Sequence, residues 1–213
     1  MAEQNFNIKP AGASLRLILV RHGETDANLK RFLQGTRNGM LNATGRLQVD
    51  QLGQHLKNIA LDHIFTSDLQ RAFDTASAIA RVHGMQVEPD RRLREWDVGD
   101  LEGLPVTVYL QMVADTGQPL SLFQPPGGEM LSQVRQRAEA FIQELVAEHR
   151  GESILACSHG DFLRMTLSAM LQIDIEAAMA FHFDNASYSV CELTGSNWRV
   201  VTLNRVATGC ESE

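Results

Sequence analysis

The sequence predicts an α/β domain with a mainly parallel central sheet. Two observations support this: short apolar runs alternate with segments of helical periodicity, and two of those runs end abruptly in polar residues, before His22 and before His159. Strands of a parallel sheet are buried on both faces, and such sheets bind ligands at the carboxyl ends of their strands. We therefore expect both His-Gly dipeptides at one edge of the sheet.

Five strands and five helices are predicted. Apolar runs predict strands at 15–20, 64–65, 153–157, 187–193 and 198–203, the last two joined as a hairpin. Helical spacing predicts a first helix from about Asn42 to Ile59 and a second from about Leu69 to near His83-Gly84. Further helices are predicted around 134–145 and from about Asp161 to Leu171. Asn42 or Thr44 is the expected cap of the first helix, and Ser67-Asp68 that of the second. Between Glu88 and Gly128 prolines cluster, so loops are expected around a short helix near 104–115.

The composition is that of an ordinary globular domain. The chain has 213 residues, of which 44% are hydrophobic and 21% charged, with a formal net charge of -7. This sign disfavours nucleic acid and anionic membrane surfaces, so neither is expected as a partner. We predict one domain at 15–205 between tails at 1–14 and 206–213. Because no stretch approaches the roughly 18 apolar residues of a membrane span, a cytoplasmic protein is expected.

No metal and no other cofactor are expected. The 7 histidines show neither H-x-H nor H-E-x-x-H spacing, and Cys157, Cys191 and Cys210 show no C-x-x-C spacing. Their odd number argues against a disulfide framework, and the first two are expected as reduced strand residues. The sequence also lacks the G-x-x-x-x-G-K-[ST] motif, which excludes a P-loop nucleotide hydrolase.

Two histidines and two arginines carry the predicted chemistry. His22, beside Arg21, and His159 each follow a predicted strand, and Arg71 lies early in a helix that begins where another strand ends. Helix N-termini and guanidinium groups both favour anions. Paired arginines neutralise phosphoryl oxygens without a metal, and a neutral imidazole can attack phosphorus. The cluster therefore predicts a phosphate site, although each motif alone also fits a polar loop or a solvated helix face.

Five short motifs occur in an order that is more specific than any one of them. They are Leu19-Val-Arg-His-Gly-Glu-Thr25 with Asn28, Thr66-Ser-Asp-Leu-Gln-Arg-Ala-x-x-Thr-Ala76, Leu93-Arg-Glu-Trp96 with Gly99, Leu101-Glu-Gly103 and Ser158-His-Gly160. This ordered set resembles the histidine phosphatase superfamily, also called the phosphoglycerate-mutase-like family, from Leu15 to about Leu203. The resemblance implies a three-layer sandwich with helices on both faces of the sheet.

The resemblance also implies a role for each matched residue. His22 is the implied nucleophile that becomes phosphohistidine, and Glu95 the implied proton donor. Other residues are implied to hold the phosphoryl group or substrate: Arg21, Arg71, His159, Asn28, Gln34, Gly35 and Gly160. Attack requires a neutral His22 with one ring nitrogen fixed by a hydrogen bond. Because Glu95 must first donate a proton and then activate water, we expect its pKa to be raised toward neutrality.

The segment after Glu95 favours the phosphatase branch of the family. The mutase branch carries an insertion with paired arginines there, and no such segment lies between Glu95 and Gly128. Pro125-Pro-Gly-Gly-Glu129 instead resembles a motif of small phosphatases of the family, which include α-ribazole-phosphate and fructose-2,6-bisphosphate phosphatases. We expect a metal-independent phosphomonoesterase acting on a small phosphorylated metabolite. A 2,3-bisphosphoglycerate-dependent mutase and a phospho-ligand or phosphohistidine signalling domain are the alternatives, and the oligomeric state, including a homodimer, stays open.

Several residues near the motifs have more than one interpretation. Glu129 either places its charge at a helix N-terminus or contacts the leaving group at the pocket rim. His182 alternates with aromatic residues and is predicted to be structural, with a substrate contact as the alternative. Trp96 is expected to pack in the interior. Val98 stands where the family usually has Phe, which makes the pocket wall harder to predict.

Overall fold

Six strands form the central sheet of the computed structural model, which describes residues 14–207. The strands are β1 (Leu15–Arg21), β2 (His63–Thr66), β3 (Glu88–Pro89), β4 (Ser153–Ser158), β5 (Ser187–Thr194) and β6 (Asn197–Val206). Their order is β3-β2-β4-β1-β5-β6. The first four pair in parallel, whereas β5 runs antiparallel to β1 and forms a hairpin with β6. The predicted α/β class with a mainly parallel sheet is confirmed.

Seven α-helices are present in the described residues. They are α1 (Asp26–Lys30), α2 (Ala43–Leu56), α3 (Gln70–His83), α4 (Val106–Thr116), α5 (Leu131–Glu148), α6 (Gly160–Leu171) and α7 (Ile175–Ala178). Short 3-10 helices cover Arg91–Leu93, Gly99–Leu101 and Leu120–Leu122. None of the helices within 14–207 has the length and apolarity that crossing a bilayer requires.

Apolar side chains alternate between the two faces of β1, and helices cover both faces. Leu17 and Leu19 belong to one core cluster together with α5 and α6, and Ile18 and Val20 to a second with α2 and α3. Each fully buried Leu or Ile contributes about 2 kcal/mol before chain entropy is counted. Burial on both faces therefore makes β1 a fixed frame for the polar residues that follow it.

Helix boundaries differ from the prediction at two positions. Asn42 caps α2 by accepting the Gly45 N–H at 2.7 Å, but α2 ends at Leu56, so Ile59 packs from the following turn. The N-cap of α3 is Leu69, not Ser67-Asp68. The Ser67 hydroxyl accepts the Leu69 N–H at 3.3 Å, and Asp68 instead pairs with Arg94.

The structure also bears on the predicted tails, on the cysteines and on three short elements. The predicted tails lie outside the described residues except at Ser14, Val206 and Ala207. Val206, predicted to begin the C-terminal tail, is the last residue of β6 and pairs with Ser187 of β5. Cys157 and Cys191 are free and buried in strands, as expected, whereas Cys210 lies outside the described residues. The short elements α1, α7 and β3 were not predicted, because they are too brief to show a hydrophobic period.

Candidate active site

His22 and His159 lie side by side at the carboxyl edge of the sheet. β1 and β4 are neighbours with Arg21 opposite Ser158, so the two strands deliver their histidines at the same level. The ring centroids are 5.1 Å apart, and both side chains are buried. The prediction that both His-Gly dipeptides share one edge is confirmed.

The ring of His22 is fixed by a hydrogen bond at each nitrogen. Nδ1 lies 2.7 Å from the carbonyl oxygen of Gly23, which can only accept, so Nδ1 carries the hydrogen and Nε2 keeps its lone pair. Arg71 Nε donates to Nε2 at 3.3 Å. Burial, followed by the charges of Arg71 and Arg21, holds the pKa of His22 well below its usual value. The ring is therefore neutral near pH 7, which attack on phosphorus requires.

Arg71 is held by backbone carbonyls. Its Nη1 donates to the carbonyl of Arg37 at 2.7 Å and its Nη2 to that of Gly35 at 2.9 Å. Burial is the main cause that lowers the pKa of Arg71 to about 10, which still leaves it charged near pH 7. Because a carbonyl orients a guanidinium without neutralising it, the positive charge stays available to an anion.

Arg21 and His159 carry buried nitrogen atoms that are unpaired within the described part of the chain. Arg21 Nη1 donates to the carbonyl of Phe183 at 2.6 Å, but its Nε has no partner there, and neither has either ring nitrogen of His159. A buried polar group without a hydrogen bond costs about 1–3 kcal/mol. The oxygens of a bound phosphoryl group would accept from Arg21 Nε and from the one N–H of a neutral His159 ring. Burial and then the charge of Arg71 also hold the pKa of His159 well below its usual value.

Glu95 lies at the N-terminus of α6. Its Oε1 accepts the backbone N–H of Trp96 at 3.0 Å, of Asp161 at 3.1 Å and of Phe162 at 3.2 Å. Burial, followed by the charge of Asp161, raises the pKa of Glu95, while the Trp96 N–H and the arginine charges oppose the rise. A raised pKa is what the implied proton donor needs, and its direction agrees with the sequence-based expectation.

The Pro125–Glu129 loop packs directly against the backbone of the loop that carries Glu95. A Cβ at Gly99 would lie 2.1 Å from the carbonyl oxygen of Pro126, and one at Gly128 would lie 2.4 Å from that of Asp97. The N–H of Glu129 also donates to the Asp97 carbonyl at 2.9 Å. Only glycines allow this approach, so the motif that resembles small phosphatases fixes the loop of the acid.

Glu129 directly precedes the N-cap of α5, as one of the two sequence interpretations expects, and it also makes contacts that neither interpretation included. Its carboxylate accepts from the Asp97 N–H at 3.1 Å and pairs with Arg137 at 2.8 Å. Arg137, on α5, also donates to the carbonyls of Arg92, Arg94 and Glu95 at 2.6–3.2 Å. Arg137 was not predicted as a functional residue, because nothing in the sequence separates it from Arg135, which forms an i,i+4 pair with Glu139. Together Glu129 and Arg137 hold the acid-bearing loop onto α5.

Asn28 and Gln34 brace the loop after β1. Asn28 Oδ1 accepts the Thr25 N–H at 3.1 Å, as the N3 residue of a capping box on α1, and also the Asn185 amide at 3.2 Å. Gln34 Oε1 accepts from the Thr25 hydroxyl at 3.0 Å. These bonds account for the oxygen atoms of both amides, and the auxiliary phosphate contacts implied for them stay a prediction.

Gly35 and Gly160 differ in how strongly the structure requires a glycine. Gly35 has a φ of 51°, and a Cβ there would lie 2.5 Å from Glu102 Oε1, which accepts the Thr36 N–H. Glu102 thereby fastens the turn whose carbonyls hold Arg71. Gly160 begins α6, and a Cβ there would make only ordinary contacts, the closest at 3.6 Å. Direct phosphate contacts of either glycine stay predictions.

The remaining residues near the site divide between core and surface. Trp96 packs in the core, as expected, and its indole N–H donates to the Glu129 carbonyl at 2.6 Å. Val98 is buried beneath the turn at Gly35. His182 is not in the core, because its side chain is 70% exposed and faces Asp184 at 3.0 Å.

A cleft of about 440 Å³ opens beside the turn that holds Arg71. Its lining combines apolar and cationic side chains, among them Phe32, Leu33, Lys30 and Arg37, with Gln34 between the cleft and the loop after β1. Arg37, whose carbonyl accepts from Arg71 Nη1, belongs to this lining. The cleft volume is within the range of small-molecule sites in proteins.

Known proteins resemble this chain in both sequence and structure. The sequence profile of the histidine phosphatase superfamily (branch 1) matches residues 17–206. Phosphoglycerate mutase-like protein 4 of Arabidopsis thaliana is 35% identical over 174 residues, which cover 77% of this chain and 74% of that protein. Fructose-2,6-bisphosphatase TIGAR of Xenopus tropicalis is 41% identical over 138 residues, 62% of this chain and 50% of the relative. A mycobacterial glucosyl-3-phosphoglycerate phosphatase, solved with VO3, superimposes with a TM-score of 0.80 at 28% identity, over 89% of this chain and 98% of its own.

Proposed function

The chain belongs to the histidine phosphatase superfamily, and from that premise we propose that it hydrolyses a small phosphorylated metabolite through a phosphohistidine at His22. One observation carries the proposal: Nε2 of a buried neutral imidazole accepts from the guanidinium of Arg71, whose two Nη atoms donate to backbone carbonyls. An anion is attracted to this guanidinium, and the Nε2 lone pair becomes available for attack when Arg71 Nε donates to the anion instead.

In the first step, the phosphoryl oxygens bind Arg21, Arg71 and His159 while His22 Nε2 attacks phosphorus. The N–P bond forms as the bond to the leaving oxygen breaks, and that oxygen takes the proton of Glu95. The Gly23 carbonyl, which accepts from Nδ1, stabilises the positive charge that develops on the ring. The two arginines neutralise the charge on the phosphoryl oxygens, so the residues alone supply the required electrostatic stabilisation.

In the second step, Glu95 is ionised and takes a proton from water, whose oxygen attacks phosphorus. The N–P bond breaks, inorganic phosphate leaves, and His22 returns to its neutral form. The same carboxyl thus acts first as an acid and then as a base, which a raised pKa favours.

The relatives suggest the substrate class. One is named for fructose 2,6-bisphosphate and another for glucosyl-3-phosphoglycerate, both small phosphate esters with polar leaving groups. For this chain we infer a phosphorylated sugar or sugar-acid whose leaving group occupies the cleft of about 440 Å³ lined by Phe32 and Arg37. A mutase that passes the phosphoryl group to a second hydroxyl is the alternative, because the Arabidopsis relative is named mutase-like.

The test is phosphate release from a panel of sugar and sugar-acid phosphates, measured with wild type, His22→Ala and the control His83→Gln. We expect His22→Ala to lose activity by about a thousandfold or more because it removes the nucleophile. His83 lies at the end of α3, so His83→Gln keeps the wild-type rate. Rapid quenching of wild type with labelled substrate gives an acid-labile, base-stable phosphoenzyme.

Two outcomes would contradict the proposal. Turnover by His22→Ala at the wild-type rate would remove His22 from the mechanism. Isomerisation of 3-phosphoglycerate in the presence of 2,3-bisphosphoglycerate, faster than phosphate release, would identify the mutase instead. Circular dichroism of each variant establishes that lost activity does not reflect unfolding.

A further inference from the structure

A second imidazole pair lies at the opposite edge of the sheet. His63 is the first residue of β2, Glu152 directly precedes β4, and His149 is the C-cap of α5. Because β1, β2 and β4 run in parallel, this amino edge faces away from His22. The rings of His63 and His149 have centroids 4.7 Å apart, and one ligand atom from each of these histidines and from Glu152 lies within 4.8 Å of the others.

The hydrogen bonds of this cluster direct one nitrogen lone pair of His63 toward the Glu152 carboxylate. His63 Nδ1 lies 2.8 Å from the Glu88 carboxylate, which can only accept when ionised, so Nδ1 carries the hydrogen and Nε2 of the neutral ring keeps its lone pair. That Nε2 lies 3.6 Å from Glu152 Oε2, and His149 Nδ1 lies 2.7 Å from the same oxygen. A lone pair facing a carboxylate oxygen is unfavourable unless a cation or a second proton lies between them.

We propose that His63, His149 and Glu152 bind a divalent transition-metal ion of the Zn²⁺ class. Two imidazole nitrogens and one carboxylate oxygen are a common ligand set for Zn²⁺, with water in the fourth position. Bonds of about 2.1 Å in tetrahedral geometry separate ligand atoms by roughly 3.4 Å. The 3.6 Å separation of His63 Nε2 and Glu152 Oε2 is close to that value, all three separations lie within 4.8 Å, and the 2.7 Å hydrogen bond from His149 widens when the ion replaces its hydrogen.

Glu88 orients His63 as metal ligands are commonly oriented. A carboxylate that accepts from the far ring nitrogen fixes the tautomer and makes the near nitrogen a better ligand. The hydrogen between His149 Nδ1 and Glu152 leaves to solvent when the ion takes its place. The three ligand side chains are half-buried, at 15–35% exposure, which leaves an entry path for the ion.

The ion would connect the start of β2, the end of α5 and the start of β4. These elements lie at the edge away from the phosphate site, so the ion is expected to change the stability of the fold and not the rate of turnover. Binding to the folded state alone at a hundredfold excess over Kd raises the melting temperature of a domain of this size by about 5 °C.

The experiment uses the full chain without a histidine tag, stripped with chelator and titrated with Co²⁺. We expect one equivalent to produce a visible absorption band that Zn²⁺ abolishes, and Zn²⁺ to raise the melting temperature by about 5 °C. His63→Gln, His149→Gln and Glu152→Gln each abolish the band. Glu88→Gln, which removes only the orienting carboxylate, weakens Co²⁺ binding by about tenfold.

Two controls separate this site from other histidines. His182→Gln removes an exposed histidine that faces one carboxylate, and His22→Ala removes the imidazole pair of the phosphate site. Both are expected to keep the Co²⁺ band. The proposal is overturned if wild type gives no band, if the band survives in both His63→Gln and Glu152→Gln, or if His22→Ala abolishes it.

Phosphate release by His63→Gln keeps this result separate from the phosphatase proposal. His63 makes no contact with the residues of the phosphate site among the described contacts, so the variant is expected to turn over at the wild-type rate. Loss of the Co²⁺ band with activity retained supports the metal site. Equal loss of activity in His63→Gln and Glu152→Gln would contradict it, because it would couple the two edges.

Discussion

The two edges of one sheet hold imidazole pairs of similar spacing in opposite electrostatic surroundings. At the carboxyl edge the ring centroids of His22 and His159 are 5.1 Å apart, and at the amino edge those of His63 and His149 are 4.7 Å apart. The first pair is buried beside two guanidinium groups, whereas the second lies near the surface against two carboxylates. The neighbouring charges, not the histidines, therefore decide which edge suits an anion and which suits a cation.

The largest effect in this comparison is expected from Glu95→Gln, which changes the buried carboxyl at the carboxyl edge of the sheet. Because the pKa of His22 is lowered, kcat/KM falls on the acidic side only where the pH is low enough to protonate the ring. On the alkaline side, kcat/KM falls as rising pH ionises Glu95, whose pKa is raised. We expect Glu95→Gln to lower kcat by about a thousandfold and to remove the alkaline limb. A pH profile of kcat/KM from 4 to 9 measures both; an unchanged alkaline limb would assign it to another group.

Arg71→Lys tests whether anion binding at the carboxyl edge needs a guanidinium. Arg71 donates to His22 Nε2 and to the carbonyls of Gly35 and Arg37, in directions that a single ammonium cannot reproduce. We expect vanadate affinity and kcat/KM to fall by about a hundredfold, which is about 2.7 kcal/mol. Titration calorimetry with vanadate measures the affinity. Arg135→Lys on α5 serves as the control, and equal affinity in Arg71→Lys and wild type would show that charge alone suffices.

Glu129→Gln is expected to have a smaller effect, because Glu129 acts through Arg137 and not on the substrate. The variant weakens the ion pair that holds the acid-bearing loop to α5. We expect kcat to fall by about tenfold at nearly unchanged KM, with a displaced alkaline limb, since misplacement of the acid affects the chemical step. Steady-state kinetics across pH measures both. Glu144→Gln, which removes a partner of Arg92 on α5, is the control. An equal loss of kcat in both variants would show that the effect reflects the stability of the fold and not the position of the acid.

Glu152→Gln is expected to have the smallest effect when no metal is present. Its pairs with His63 and His149 are partly exposed, so we expect the free energy of unfolding to change by less than about 1 kcal/mol. Glu192→Gln offers the contrast, because it leaves the buried Arg16 with a weaker partner and is expected to cost about 3 kcal/mol. Urea denaturation of chelator-treated protein compares the two. A large loss of unfolding free energy in Glu152→Gln would show that the pairs of Glu152 with His63 and His149 stabilise the fold without a metal.

The sequence predicted the site residues that follow directly from the order of strands and helices along the chain, but not those that meet only through the packing of distant segments. His22, Arg71 and His159 could be placed together because each follows a strand of one sheet, and the strand-end pattern is visible in the chain. Arg137 could not be found, because its partners are set by how a loop docks on α5. The amino-edge cluster was equally hidden: His63 and His149 are distant in the chain, and the His149-x-x-Glu152 spacing becomes meaningful only once β2 and β4 are adjacent.

Gly99 lies against Pro126 and Gly128 against Asp97, and we call these two close backbone contacts the clasp. The clasp holds together the two ends of an intervening chain segment, the span. Residues 104–124, which include α4, begin and end at that clasp. Within the span, Tyr109 and Phe123 pack in the core with Trp96, whereas Val108, Leu110 and Leu122 are exposed. The exposed positions can therefore change without disturbing the loop of the acid, whereas the two glycines can change only together with the loops they join.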